Sequence, residues 1–520
     1  MINFFLSSRI LLVFIIPFLL GCLTVFSFQP YNLTIINFFI FPCFFLILCN
    51  INKRSKNKYR KKPHLINLFY VGYFFGIGFF LTGTHWISNS LQFDENFKNF
   101  IPLTIVLIPL TLGLFYGAGL LICGKYLKYD LKSILLFSSM ISIIDYIRAK
   151  ILTGFPWNLW AYSWSWFSEI IQILNPIGLF AFNLLAITIY CLPSIFFISK
   201  SKYKNLIFVI FSLTFFINYL YGNYVLNNNN IKNQKYLEQN KFINVKIISP
   251  NFELKYNLSE VETLERIKKL IRYSNIEKNK KTLFIWPEGA LSGKYFFEIK
   301  KYKYLIQKNF SSNHLIVLGI NTLDEEQNKF YNSFVIVDHN LNKKFQYDKI
   351  KLVPFGEFLP FQTQLEKIGL KKITEGFGSF SKGDRNNTFS YNNLNIIPLI
   401  CYEIIFPELI QRISKENTLL INISEDGWFG NSIGPYQHFS KSIFRAIESD
   451  SFVLRSANKG ISAIINNRGQ IIKSLKNNET GNIEYKLPIK EKKGKSKNDL
   501  IFFALLFTYC FIFLKYKKND

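Results

Sequence analysis

Eight long apolar runs constrain what this chain can fold into more than any other feature. They occupy 10–28, 33–50, 66–87, 101–123, 131–147, 171–198 and 205–224, and again 499–514. Each is near the length needed to cross about 30 Å of hydrocarbon. Seven stand together, and the eighth follows only after the segment 225–498. The run at 131–147 carries Lys132 near one end and Asp145 near the other, so the expectation is about eight spans rather than a fixed count. Composition agrees: 49% of the residues are hydrophobic and only 18% charged, with 56 Phe and 28 Tyr, an apolar excess that must be hidden in lipid or core. The formal charge of +28 does not argue for nucleic acid, because the Lys residues travel with abundant Asn, Ile, Tyr and Phe across the chain. Seven Cys in 520 residues exclude a disulfide framework.

Charge sets the orientation. The loop after the second run holds Lys53, Arg54, Lys56, Lys58, Arg60, Lys61 and Lys62 without an acidic residue, which puts it in the cytoplasm by the positive-inside bias. Counting spans from there puts Lys125 and Lys128, Lys200, Lys202 and Lys204, and Lys515, Lys517 and Lys518 on the same side, with both termini. The loops 88–100 and 148–170 and the whole of 225–498 fall on the opposite face, which in a bacterium is the periplasm. The expectation is a multi-pass protein of the inner membrane. Leu19, Leu20, Gly21 and Cys22 resemble a lipobox, but Leu23 to Phe28 continue the apolar run, so the first run reads as an uncleaved span.

Within 225–498 the apolar runs shorten and alternate with amphipathic helical stretches, the pattern of a soluble α/β domain. Strands are expected at 243–249, 282–286, 315–320, 331–337, 395–400, 418–423, 452–456 and 461–466, and helices near 258–277, 295–309, 404–415 and 436–450. The Asn-rich 225–241 and the Lys-rich 487–498 read as linkers. The domains expected are therefore 1–224 with seven membrane helices, 225–498 as the soluble domain, and 499–520 as a last membrane helix with a short tail.

Six cysteines lie in or beside the apolar runs, and Cys401 alone lies in the soluble domain. A lone thiol there is either buried and inert or kept for its reactivity. NIIPLIC ends a buried strand and YEIIFPELIQR reads as a helix, so Cys401 falls at a strand-to-helix turn, where a helix N-terminus favours thiolate and oxyanion alike. A thiol needs a base. Two are open: His438, at the start of a helix, and Glu288, which ends the strand TLFIWPE beside Trp286 and Pro287, where apolar surroundings raise a carboxyl. Lys349 lies between Glu288 and Cys401 in sequence, either solvated or turned inward to a counter-ion. Trp157, Trp160, Trp164 and Trp166 cluster beside a span, either as an interfacial belt or as the lining of an acyl-chain path. Phe355, Phe358, Leu359, Phe361 and the run 374–383 are candidates for an apolar rim over the thiol. The sequence contains no metal-ligand cluster and no phosphate-cradling or cofactor motif, so neither metal nor cofactor is implied.

WPEGA at 286–290, YDKIKLVPFGEFLPF at 347–361 and LICYEIIFPE at 399–408, in this order, resemble the Glu–Lys–Cys triad motifs of the nitrilase superfamily. PFGEFLPF, the eight apolar runs, WFGNSIGPYQH at 428–438 before RAIES at 445–449, and TGFPWNLWAYS at 153–163 are similar to its membrane-embedded apolipoprotein N-acyltransferase branch. The resemblance implies an αββα sandwich with Glu288 as general base, Lys349 as oxyanion stabiliser and Cys401 as nucleophile. It gives Glu357, Tyr402 and Glu403 supporting roles and puts Tyr256, Trp428, Phe429 and Phe358 near substrate. It also implies a phospholipid as acyl donor, the amino group of a diacylglyceryl apolipoprotein as acceptor, and the bilayer as the site of both. SPNFELKY at 249–256, ISEDGWFG at 423–430 and SANKG at 456–460 depart from the segments usual in that branch. The competing reading keeps fold and triad in a membrane-tethered amidase or hydrolase, with water resolving the acyl-enzyme.

Overall fold

The computed structural model describes residues 8–56, 62–93, 95, 97–198, 204–360, 380–384, 388–392, 394–411, 418–489 and 499–517. Lys58, Arg60, Lys61, Lys200, Lys202, Lys518, Phe361 and most of 374–383 lie outside them. The chain forms two compact units: one from Met1–Ser88, Phe100–Tyr224 and Asn498–Asp520, the other from Asn89–Asn99 and Val225–Lys497.

All eight apolar runs fall on helix in the first unit. Among the described residues, five helices are long and apolar enough to cross a membrane: Thr34–Ser55, His64–Phe93, Lys98–Tyr126, Leu179–Phe197 and Lys204–Glu238. Leu11–Ser27 and Leu500–Lys515 are apolar but shorter, and Leu131–Lys150 carries the charged residues seen in the sequence. The helix Lys204–Glu238 corrects the linker expected at 225–241. Its Asn-rich end has neither Pro nor Gly, and Asn costs a helix only about 0.7 kcal/mol per residue. Leu226, Asn229 and Asn233 are buried at helical spacing, so this end carries a buried stripe of its own.

The Asp145 charge of Leu131–Lys150 is turned inward and neutralised. Asp145, 0% exposed, accepts hydrogen bonds from Arg148 Nη2 (3.0 Å), Asn183 Nδ2 (3.0 Å) and Tyr116 Oη (3.3 Å). Arg148 also donates to the carbonyls of Phe155 (2.5 Å) and Trp157 (2.8 Å), and Asn183 Oδ1 accepts from the Ala161 amide (3.0 Å). The aromatic loop is thus tied to two helices by one ionic cluster. Trp157, Trp160 and Trp164 are buried and form part of this unit's core rather than an interfacial belt: Trp160 stacks on Phe79 and Trp164 on Tyr190, with centroids 4.8 and 5.7 Å apart. Trp166 alone of the four is exposed.

The second unit contains two six-stranded sheets. The strands, in chain order, are β1 (Phe242–Ser249), β2 (Thr282–Ile285), β3 (His314–Asp324), β4 (Lys329–Asp338), β5 (Lys343–Asp348), β6 (Phe389–Tyr391), β7 (Leu394–Ile400), β8 (Thr418–Glu425), β9 (Phe452–Asn458), β10 (Ser462–Ile465), β11 (Ile471–Leu475) and β12 (Gly481–Pro488). One sheet runs β12-β1-β2-β3-β4-β5 and the other β11-β10-β9-β8-β7-β6. In each, three central strands are parallel: β1-β2-β3 and β7-β8-β9. Strand alternation explains the layering. Val245, Ile247, Leu283, Ile285, Phe334 and Ile336 meet Ile396, Ile400, Ile421, Ile423 and Leu454 of the other sheet. Ile248, Phe284, Val335 and Val337, one residue out of phase, face the helices Glu260–Ser274, Phe296–Ile299 and Lys303–Asn309. Gly434–Ser449 packs on the second sheet at β9 and β10. The eight expected strands are present, and β5, β6, β11 and β12 are additional.

Removing Asp145 alone leaves the Arg148 charge buried, which costs about 3–5 kcal/mol in such settings. Asp145→Ala is expected to lower the thermal unfolding midpoint in detergent markedly, and an unchanged midpoint would contradict the clamp.

Candidate active site

The chemically relevant side chains of the second unit sit where strands end. Glu288 follows β2, Lys349 follows β5, Cys401 follows β7 and Glu425 closes β8. In parallel α/β sheets this edge is where ligands bind, because exposed backbone groups and loops collect there.

Lys349 is buried at 1% exposure, with Nζ 2.8 Å from Glu357 Oε1 and 3.6 Å from Glu288 Oε1. Asn332 Nδ2 donates to both carboxylates, to Glu288 Oε1 at 2.7 Å and to Glu357 Oε1 at 2.9 Å. The Val353 amide donates to Glu357 Oε2 (2.9 Å), and the Glu425 amide to Glu288 Oε2 (3.0 Å). Glu288 fits because Gly319 of β3 lacks a side chain: a Cβ there would lie 2.8 Å from the Glu288 Cα. Burial pushes the Glu288 carboxyl up, with Lys349 pulling it back and Glu357 adding to the rise. Burial works against the Lys349 ammonium, but the Glu288 and Glu357 carboxylates outweigh it and hold the proton firmly. Trp286, expected to supply the apolar wall, instead packs into the helix-side core and donates to Ser274 Oγ (3.1 Å).

Cys401 has φ +49°, a left-handed conformation that costs a non-glycine residue about 1–3 kcal/mol and persists only where its surroundings enforce it. Glu403 does much of the enforcing. Its Oε2 accepts from the Ile400 amide (2.9 Å), and its Oε1 accepts from the amides of Ile350 (2.8 Å) and Lys351 (3.1 Å) and from Tyr347 Oη (2.8 Å). One buried carboxyl therefore binds the thiol turn to the chain that comes after Lys349. Burial raises the Glu403 carboxyl against these donors.

The segment after the thiol is not the helix expected at 404–415. Cys401–Ile405 is a 3₁₀ turn, Glu408–Gln411 is one short helical turn, and 412–417 lie outside the described residues. The thiol is correspondingly not a thiolate at rest: burial pushes it up, Glu288 adds to the rise, and Lys349 only partly opposes it. His438 does not face the sulfur. Its Nε2 lies 3.2 Å from the Cys401 carbonyl oxygen, and its Nδ1 lies 3.0 Å from Asp426 Oδ1 and 3.1 Å from Arg455 Nη2. Burial and the Arg455 charge push this imidazole down, with Asp426 pulling the other way. Asp426 stays ionised because Arg455 and His438 overcome its burial.

Tyr256 and Trp428 come together, ring centroids 5.5 Å apart, and Phe93 joins Trp428 at 5.5 Å. Phe429 is buried against His438, and Tyr402 packs edge-on against Phe406. Phe358 is partly buried, its carbonyl accepting from the Phe355 amide (2.8 Å), and Leu359 is buried. Asn332, Glu425 and Phe93 had no place in the sequence reading. Asn332 had one signal, an amide inside the apolar strand FYNSFVIVD.

The Carbon-nitrogen hydrolase family model matches residues 247–491, the segment that holds nearly all of both sheets and Glu288, Lys349 and Cys401, which makes this unit a carbon-nitrogen hydrolase domain. The family model for the Apolipoprotein N-acyltransferase N-terminal domain matches residues 20–192. The apolipoprotein N-acyltransferase of Rickettsia prowazekii (strain Madrid E) is 32% identical over 509 residues, spanning 96% of this chain and 97% of that one. That of Rhodopseudomonas palustris (strain ATCC BAA-98 / CGA009) is 29% identical and spans 91% and 89%. The chain belongs to the apolipoprotein N-acyltransferase family. Among solved structures, Saccharomyces cerevisiae Nit3, a member of branch 10 of the nitrilase superfamily, covers 48% of this chain and 90% of its own at 17% identity and a TM-score of 0.35.

A raised thiol has a definite pH signature. Alkylation of Cys401 by iodoacetamide, tracked on its own peptide by mass spectrometry, is expected to keep climbing above the ordinary thiol range of about 8.5. Lys349→Met, which removes the one opposing charge, is expected to slow it further at every pH. A plateau below pH 8 would contradict the neutral thiol.

Proposed function

We propose that Cys401 carries an acyl group from a membrane phospholipid to the amino terminus of a diacylglyceryl apolipoprotein. The chain is an acyltransferase of lipoprotein biosynthesis, and the family supplies its donor and acceptor classes, a lipid and a lipoprotein. The observation that carries the finer reading is the buried Glu288–Lys349–Glu357 cluster beside a strained thiol turn.

The first half-reaction begins with Cys401 Sγ attacking the ester carbonyl carbon while Glu288 accepts the thiol proton. A carboxyl raised by burial suits that proton better than an ordinary one would. Lys349 and the backbone N–H groups of the thiol turn stabilise the oxyanion. As the carbon–oxygen bond breaks, Glu288 protonates the departing lysophospholipid oxygen and leaves a thioester on sulfur. In the second half the acceptor's neutral amine attacks the thioester and gives its proton to Glu288. The carbon–sulfur bond then breaks, Glu288 returns the proton to sulfur, and the amide leaves. Tyr256, Trp428 and Phe93 form an aromatic cluster suited to acyl-chain contact.

The domain reading keeps 1–224 and 499–520 as the membrane part and 225–498 as the catalytic part of a multi-pass inner-membrane protein. The basic loop from Lys53 to Lys62 supports a cytoplasmic placement of that loop and of both termini, with catalysis on the periplasmic side.

Incubation with phospholipid and no acceptor is expected to leave an acyl adduct on Cys401, detected by intact-mass and peptide mass spectrometry. Cys401→Ala abolishes it, and Glu288→Gln slows its formation by about 10²–10⁴-fold, the usual worth of a general base. An adduct that never forms on the unmutated protein, or one that only water removes when apolipoprotein is supplied, would defeat the transferase mechanism.

A further inference from the structure

Glu425 contributes three separate contacts to the site. Its amide N–H donates to Glu288 Oε2 (3.0 Å), and its carbonyl oxygen lies 4.0 Å from Cys401 Sγ, so one peptide segment faces both proposed base and proposed nucleophile. Its side chain, in a residue 3% exposed, fixes that segment: Oε1 accepts from the Gly427 amide (2.8 Å) and Oε2 from Asn458 Nδ2 (2.7 Å). Gly289, next to the base, makes room for it. A Cβ on Gly289, which has φ +72°, would lie 2.3 Å from Glu425 Oε2.

Both donors are fully satisfied only by the ionised carboxylate. Asn458 cannot turn its amide, because Oδ1 accepts from the Phe252 amide (2.7 Å) while Nδ2 donates to the Phe252 carbonyl (2.9 Å). It therefore presents an N–H to Glu425, as Gly427 does, and a glutamine there would set donor against donor. The charged groups around Glu425 are Glu288 after β2, Asp426 beside it in the chain, Arg266 of the helix Glu260–Ser274, and Lys459 after β9 near Gly427.

We propose that Glu425 is a positioning residue for acyl transfer: its side chain holds the peptide that orients Glu288 beside Cys401, and, as it ionises, its negative charge strengthens Glu288 as a base. The proposal rests on Glu288 acting as the base and Cys401 as the nucleophile. Burial, together with the Glu288 and Asp426 charges, pushes the Glu425 carboxyl up to about 8, against Asn458 and Gly427, so it changes charge within the working pH range. Its protonation surrenders one of the two hydrogen bonds that fix the segment.

The test is the single-turnover rate of Cys401 acylation by phospholipid, measured across pH with the full chain in detergent. Glu425→Gln is expected to lower the plateau about tenfold or more, the scale of a misplaced catalytic group. Its acidic limb is expected to move to lower pH, because Glu288 loses a like-charged neighbour and the titration of Glu425 disappears. Glu425→Asp keeps the charge but not the reach, so its plateau falls while its acidic limb stays near that of the unmutated chain. An unchanged plateau in Glu425→Gln, or a lower plateau with the limb in place, overturns the proposal. If Glu425→Gln does not accumulate folded, Glu425→Asp decides, and an undiminished plateau overturns the proposal. A Cys401→Ala chain that still acquires the acyl group defeats the underlying assignment instead.

Discussion

Lys349 lies 2.8 Å from Glu357 and 3.6 Å from Glu288 at 1% exposure, and its charge is what opposes the burial of the Glu288 carboxylate. The dependence runs both ways, since burial alone would strip the proton from an isolated ammonium. Asn332 completes the set by donating to both carboxylates, which leaves their oxygens directed rather than merely neutralised. The niche thus works as one unit of charge. Glu288 can take up a proton and release it again while Glu357, which does not exchange one in the proposed cycle, keeps the ammonium in place.

The thiol meets that unit only because two sheets deliver their strand ends to one place. Parallel pairing of β1-β2-β3 and of β7-β8-β9 aligns the C-terminal ends within each sheet, and the layer of Ile285, Phe334, Ile400 and Ile423 registers one sheet on the other. Apolar packing therefore sets the distances, and the polar groups refine them. Glu403 shows the refinement: it accepts from both the thiol turn and the chain around Lys349, so the two segments cannot drift apart without breaking three hydrogen bonds.

The inner strands were legible because burial on both faces writes an uninterrupted apolar run. β5, β6, β11 and β12 were not, since strands near or at a sheet edge need no such run: Ile471–Lys473 and Ser474 are exposed, as are Lys343 and Lys344. Glu288, Lys349 and Cys401 could be named because their motifs are local and ordered along the chain. The thiol's protonation state could not, because it depends on burial and on Glu288 rather than on the helix that the pattern after Cys401 suggested. Asn332 and Glu425 lay outside local reading for a related reason, as their partners stand 44 and 137 residues away. The Asn-rich end of Lys204–Glu238 misled in the opposite direction: its polarity suggested a linker, although nothing in it breaks a helix.

A resting thiol, rather than a thiolate, fits an enzyme whose donor is a lipid. A permanent negative charge in a niche that must admit an acyl chain would have to be resolvated or repelled at each encounter. It would also expose a reactive sulfur to oxidants in the compartment proposed for this domain. In the proposed cycle, holding the proton on sulfur until an ester carbonyl is within reach avoids both. Charge then develops in the transition state, where the Lys349 ammonium is already oriented, rather than in the ground state where it would favour no particular reaction. The raised carboxyl of Glu288 obeys the same logic in that cycle, because a base that takes a proton from sulfur and returns it must hold it more firmly than an ordinary carboxylate does.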